Sequence, residues 1–309
     1  MPRCRSAAAA APPAPRRGSP AAHRIAGGVW YECPVTPPPA PAVGDPFDAE
    51  LLSAGRLAVE LSGGVLTVTL DRPDIRNAQL PETWEALAHI GSRVPESVRV
   101  VIVRGAGESF SAGLDRSMFT GGADSVLLQL ASAPDTVAHG RIAGFQRGFS
   151  WLADPAFVSL AAVQGYAVGA GFQLALACDL VLAADDAQFC MAEVGLGLVP
   201  DLGGTGELVR AVGYQRALEI CATGRRVGAG EAVRIGLALA QVPADELDQA
   251  VADLTDALLT PPVEAVRAVT RLLGSARSAE AGDQLVAEQH EQLRRVRELA
   301  AQADAQAAR

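Results

Sequence analysis

The residue pattern predicts an α/β fold with a helical C-terminal module. Three observations carry this expectation. Short β-branched or alternating runs at 56–61, 65–70, 98–103 and 157–163 recur between stretches of helical periodicity. After Gly206 the chain reads as almost entirely helical. The chain has 309 residues, 49% hydrophobic and 20% charged, enough length and apolar content for a proper core.

The elements follow in order. Residues 1–44 hold 10 of the 20 prolines and an Ala/Pro run around 7–15. Such a segment lacks backbone donors and cannot bury a face, so it reads as an arm, with the first domain boundary at residue 50. It carries five Arg against Glu32 alone. That is also the balance of an organelle transit peptide, but Pro12, Pro13, Pro15 and Pro20 break the amphipathic helix such signals use. The runs 56–61 and 65–70 are joined by Gly63-Gly64, a hairpin signal. Pro81 opens a helix to about Ile90, since proline is tolerated in a first turn. A buried strand at 98–103 precedes a helix at 135–153, a strand at 157–163, a helix at 169–177 and a strand at 180–184. Helices then follow at 207–212, 214–222, 229–235, 244–259, 262–273 and 279–301. The expected division is an arm at 1–50, a core at 51–250 and a helical module at 251–309.

Composition excludes several function classes. All 26 basic residues are Arg, so Schiff-base chemistry, a Walker lysine and a Ser–Lys dyad have no residue to use. The net charge of −9 argues against nucleic acid as a partner. Five cysteines without CxxC spacing and four separated histidines give no disulfide framework and no metal site, and point to a reducing, cytoplasmic compartment. The uncharged stretch 155–178 has the length of a membrane span. Glycines 165, 169 and 171 and glutamines 164 and 173 interrupt it, so it reads as a buried strand, a glycine turn and a buried helix.

Two glycine turns are candidates for chemistry: residues 109–115, after a buried strand, and residues 165–173, between a strand and a helix. Small residues let a ligand approach backbone N–H groups, and a helix start favours negative charge. Two such turns converging on one oxygen would form an oxyanion hole. On composition alone, a pair of tight packing turns is the preferred explanation. A dinucleotide fingerprint fails because Leu174 stands where the third glycine belongs, and a GxSxG elbow fails at Ser111. A third segment, 187–205, carries Glu193 and Asp201 as lone carboxylates among apolar and glycine residues. Desolvation there would raise a carboxyl into the range useful for proton transfer. The alternative is that each caps a turn or a helix start.

Taken together, Asp71-Arg72-Pro73 with Asn77-Ala78, Phe110 to Asp115, Gly165 to Asp179 and Glu193 to Thr205 resemble the crotonase family, also called the enoyl-CoA hydratase/isomerase superfamily, over about residues 56–260. The resemblance implies a crotonase-type spiral of ββα units followed by C-terminal helices, assembled as a homotrimer or a dimer of trimers. It implies an acyl-CoA thioester substrate, with coenzyme A entering as part of it and no separate cofactor. Backbone N–H groups of Leu114 and Ala170 would hold the thioester oxygen, where relatives usually have Gly at the second position. Ile75, Arg76, Ala78, Ala112, Gly113, Asp115, Arg116 and Gly169 fall on substrate- and CoA-binding positions. Composition alone, with Gly121-Gly122, reads residues 118–125 as a lid over the acyl chain. Tyr166 and Phe172 read as core or pocket wall, and Trp84 and Trp151 as packing.

The resemblance also shows departures. Hydratases of the family use two glutamates. Glu193 matches one, while Gln173 stands in place of the other and cannot act as a general base. Members that move double bonds place an Asp where Asp201 stands. The expectation is therefore proton transfer by Glu193 and Asp201, with double-bond isomerisation first and 2-enoyl-CoA hydration second. A catalytically silent acyl-CoA binder is the third reading. The last helix lacks the basic stretch with which many relatives end.

Overall fold

The computed structural model describes residues 46–120 and 125–307, together with two paired segments, β1 (Arg24–Ile25) and β2 (Gly28–Val29). Most of the expected arm and the Gly121-Gly122 part of the expected lid lie outside the described residues. Helix α1 (Ala49–Gly55) starts at Asp48, whose carboxylate accepts the N–H groups of Glu50 and Leu51. The expected hairpin forms as β3 (Leu57–Ser62) and β4 (Val65–Leu70), antiparallel. Pro81 opens α2 (Pro81–Gly91) at its first turn.

From β4 onward the long strands are parallel. The six-stranded sheet runs β11-β8-β6-β5-β4-β3, with β5 (Val100–Gly105), β6 (Val158–Val163), β8 (Leu180–Ala184) and β11 (Ala240–Val242). Its central strands β5, β6 and β8 are buried on both faces. Val101 and Val103 of β5 join the main core, while Val100 and Ile102 join a second core beneath α10 (Leu247–Leu259) with Leu160, Leu182, Val251 and Leu254. Burial on two faces is why these strands read as continuous apolar runs rather than alternating ones.

A second layer is built from short pieces, most of them following a long strand. Gln79 bridges Leu114, and Ser111 bridges Ala167. Strand β7 (Tyr166–Val168) pairs with β9 (Gln188–Cys190), which pairs with β10 (Arg226–Gly228). A helix then returns the chain to the next long strand: α2 after Gln79, α3 (Ser117–Thr120), α4 (Val126–Ser132) and α5 (Asp135–Ser150) after Leu114, and α6 (Ala170–Ala177) after β7. This is the expected spiral of ββα units. Trp84 of α2 packs edge-on against Phe145 of α5 at 4.8 Å, and its indole N–H reaches the Gln79 side chain at 2.8 Å.

The helical end comprises α7 (Gly204–Val212), α8 (Tyr214–Thr223), α9 (Ala229–Arg234), α10, α11 (Val263–Ala276) and α12 (Ala281–Ala307). Helix α10 runs across residue 250, where the sequence suggested a boundary, because its apolar face covers the large sheet. Ion pairs tie α11 to its neighbours, Arg271 to Glu291 of α12 at 2.8 Å and Arg277 to Glu207 of α7. Among the described residues no helix is long and apolar enough to cross a membrane.

Candidate active site

The two glycine turns lie side by side in the second layer. Ser111 N–H donates to Tyr166 O at 2.7 Å, and Val168 N–H returns to Ser111 O at 3.0 Å. Gly113 has φ +84°, and a Cβ there would sit 2.4 Å from the Val168 carbonyl oxygen and 3.5 Å from Ala170 N. Only glycine fits both the left-handed backbone and that approach. Gly169, with φ +51°, donates to Cys190 O at 2.8 Å and turns the chain into α6 at Ala170. Among the described residues the N–H groups of Leu114 and Ala170 donate to no acceptor. The structure thus brings two unspent backbone donors together where the turns meet.

Glu193, on the 3-10 turn Glu193–Leu196 just after β9, is 6% exposed. Its carboxyl lies against Gly169, with Oε1 3.3 Å from where a Cβ of that residue would stand. Oε1 accepts the Gln173 side-chain N–H at 2.7 Å, and Oε2 is buried without a partner. Gln173 is engaged at both ends. Its Oε1 accepts Leu202 N–H at 2.9 Å and Gly204 N–H at 3.3 Å. Burial pushes the Glu193 carboxyl above its ordinary range, and the negative charge of nearby Asp201 adds to that push. Its own backbone N–H and the Gln173 amide oppose it. Desolvation also raises Asp201, although the residue as a whole is exposed. The Asp201 carbonyl accepts the Gln146 side chain at 2.7 Å.

The other expected residues border the first turn. Ile75 is exposed on the 3-10 turn Pro73–Ile75, and Arg76 follows with φ +53°. Ala112 N–H donates to Arg76 O at 2.7 Å, which sets the loop 75–78 beside residues 112–116. The guanidinium groups of Arg76 and Arg226 each lie 5.2 Å from the Tyr166 ring centre. Arg116 is exposed ahead of α3. Asp115 is already engaged, with Oδ2 2.9 Å from the Arg72 guanidinium and Oδ1 accepting Ser117 N–H at 2.9 Å. The Ser117 N–H foremost, and then Arg72, holds its carboxyl below the usual range.

Residues 60–307 match the family model described as enoyl-CoA hydratase/isomerase. The chain belongs to the enoyl-CoA hydratase/isomerase family. It is 36% identical over 212 residues to the carnitinyl-CoA dehydratase of Proteus mirabilis, covering 68% of this chain and 77% of that one. It is 33% identical over 193 residues to a Mycobacterium tuberculosis protein named as an enoyl-CoA hydratase, covering 62% and 70%. Among solved structures it is similar to a protein of Thermobifida fusca assigned as an enoyl-CoA hydratase. In complex with CoA the identity is 44% and the TM-score 0.77, over 83% of this chain and 98% of the other. In complex with acetoacetyl-CoA the values are 42%, 0.78, 82% and 100%.

Three side chains of this enoyl-CoA hydratase/isomerase family member were given no role by the sequence reading. Gln79 links the indole of Trp84 to the Ser111 hydroxyl at 3.0 Å, and that hydroxyl accepts Gly113 N–H at 3.2 Å. Gln146 holds the Asp201 backbone, and Arg72 holds Asp115. Each acts across a long stretch of sequence, so no local spacing marks it. A cavity of about 1410 Å³ lies at the far end of α6, lined by Leu176, Asp179, Val266 and Leu273 among others, and none of the expected site residues lines it. Among the described residues no three His, Cys, Asp or Glu side chains are grouped as a metal site requires.

Proposed function

We propose that this chain moves a carbon–carbon double bond in an enoyl-CoA thioester, with Glu193 as the proton carrier. The single observation behind this reading is the pairing of an unpartnered, buried Glu193 Oε2 with a Gln173 fully engaged by Glu193 and two backbone donors. That leaves one buried base beside two unspent N–H groups, where a hydratase would need a second base to activate water. The thioester oxygen of a 3-enoyl-CoA accepts hydrogen bonds from Leu114 and Ala170 N–H, which stabilise charge as it develops. Glu193 Oε2 takes a proton from C2, and the C–H electron pair forms a C1–C2 double bond with the charge on the thioester oxygen, conjugated with C3=C4 as a dienolate. When C1=O re-forms, the C1–C2 pair becomes C2=C3 and the C3=C4 pair takes the proton back from Glu193 at C4. The product is the conjugated 2-enoyl-CoA, with no water gained or lost. Gln173 keeps Glu193 oriented, and Asp201 is its charged partner, raising its basicity or exchanging its proton.

Coenzyme A enters as part of the substrate, without a separate cofactor. Arg76 and Arg116 meet its phosphates, and Ile75, Ala78, Ala112, Gly113 and Gly169 line its path. The exposed apolar residues Leu273, Leu285, Leu293 and Val296 of α11 and α12 support assembly with copies of itself, as a homotrimer or a dimer of trimers, measurable by light scattering. Its expected place of action is the cytoplasm.

A second reading, hydration of 2-enoyl-CoA, is favoured by the names of the relatives and by the second carboxylate, Asp201, coupled to Glu193. The test is to incubate the protein with trans-3-hexenoyl-CoA and trans-2-hexenoyl-CoA in D2O, followed by mass spectrometry and NMR. Conversion of the 3-enoyl to the 2-enoyl ester without water gain supports isomerisation. Addition of water to the 2-enoyl ester supports the second reading and refutes the claim that Gln173 disables hydration.

A further inference from the structure

We propose that Arg72 is a positioning residue for the Leu114 donor, acting through Asp115. This rests on the reading of Leu114 N–H as one of the two groups that hold the thioester oxygen. A trans peptide is planar, with its C=O and N–H pointing to opposite sides. The Gly113 carbonyl accepts Gln79 N–H at 2.7 Å, so the Leu114 N–H of the same peptide points away from Gln79. Gly113 meets the Val168 carbonyl on its other flank. What fixes the remaining rotation is the residue that follows. Asp115 N–H donates to Gln79 O at 2.9 Å, and both carboxylate oxygens are held, one by Ser117 N–H and one by Arg72.

Arg72 is itself anchored. The same Nη1 donates to Ala78 O at 2.9 Å, and its backbone N–H donates to the Asn77 side chain at 2.8 Å. Asn77 is 1% exposed and donates in turn to Ala106 O at 2.9 Å and Ser109 O at 2.7 Å, at the base of the same turn. The Arg72 and Asp115 side chains are 23% and 15% exposed, so the pair is largely shielded from water. Without the guanidinium, Asp115 Oδ2 would lose its counter-charge in a largely shielded place, one residue from Leu114, with Oδ1 alone held by Ser117 N–H. Its escape toward solvent turns the 113–114 peptide and moves the donor. A displacement of about 1 Å at a reacting centre costs roughly 100-fold in rate. Asp115 is therefore assigned to the loop and not to a contact with the ligand.

The test reads the donor directly. [1-13C]Hexanoyl-CoA is a saturated thioester that binds without reacting, and its carbonyl stretch falls in frequency when N–H groups polarise it. Infrared difference spectra are recorded for the wild type, Arg72→Met, Arg72→Lys and Asp115→Asn, with kcat and KM measured on trans-3-hexenoyl-CoA. The expected result is a clear downshift in the wild type, loss of at least about half of it in Arg72→Met with kcat lower by roughly 100-fold and KM changed much less, and partial recovery in Arg72→Lys. Asp115→Asn keeps the shape of the side chain and the Ser117 bond, so it serves where Arg72→Met does not fold, with the same loss expected. A folded Arg72→Met or Asp115→Asn that keeps the full downshift overturns the positioning role while leaving the Leu114 donor intact. Absence of any downshift in the wild type overturns the donor reading itself and, with it, the role of Arg72.

Discussion

Replacing Gln173 by Glu tests the arrangement around Glu193 most severely. One oxygen of the new carboxylate takes the place of Oε1 and keeps the Leu202 and Gly204 N–H bonds, so the side chain stays where it is. The other replaces a donor that now stands 2.7 Å from Glu193 Oε1. At that separation and an effective dielectric of about 20, two unit charges repel by about 6 kcal/mol. Putting a proton on an ordinary glutamate at pH 7 costs only about 3.7 kcal/mol. The second figure is smaller, so the folded variant holds one proton between the two carboxyls at neutral pH, while its unfolded chain does not. The native state then binds one more proton than the unfolded state, and stability falls as pH rises. Relative to the wild type, Gln173→Glu is expected to lose about 2 kcal/mol at pH 6 and about 5 kcal/mol at pH 8, a slope near 1.4 kcal/mol per unit. Urea unfolding across that range measures it. A difference that does not change with pH would refute the direct Gln173–Glu193 contact and the single-base site built on it.

Other outcomes follow from the same geometry. Glu193→Gln removes the only unpartnered buried carboxylate oxygen among the described residues and is expected to lower isomerisation by at least about 100-fold, with hexanoyl-CoA binding kept, as calorimetry will show. The kcat/KM profile is expected to fall on the acid side at a midpoint above the ordinary glutamate range, because burial raises Glu193 and the base must be ionised. Asp201→Asn removes a charge that raises Glu193, so the same limb moves to lower pH; an upward or absent shift would separate the two carboxyls. Gly113→Ala puts a methyl 2.4 Å from Val168 O, so the turns must part by about 1 Å for ordinary contact, and kcat is expected to fall roughly 100-fold.

How much of this was legible depends on the length over which each signal acts. The β3–β4 hairpin, the Pro81 helix start and the buried strands were readable because each is written in a few adjacent residues. Strands β7, β9, β10 and β11 have three residues each, too few for any alternation to show, and they exist because neighbouring turns of the spiral supply their partners. The 3.6-residue period located the last helix, but its end at Ala307 lies beyond the expected 301, where alanines continue the helix without an apolar stripe. In the site, glycine betrayed the two turns, and lone acids among apolar residues drew notice to Glu193 and Asp201. The amide orientation of Gln173 was not readable, since its partners Leu202 and Gly204 meet it only through the fold. Asp115 fell on a binding position through the resemblance; its tie to Arg72 spans a crossover that sequence spacing does not reveal.

The ladder from Gln79 through Leu114, Ser111, Ala167 and Phe189 has a consequence for how the protein comes into being. No single turn of the spiral contains both unspent N–H groups and the carboxylate; each comes from a different turn, and each is oriented by the backbone of the one beside it. Such parallel, non-local pairings close slowly, because chain entropy must be lost before the contacts repay it. Leu114, Ala170 and Glu193 take up their places relative to one another only when their separate turns are stacked.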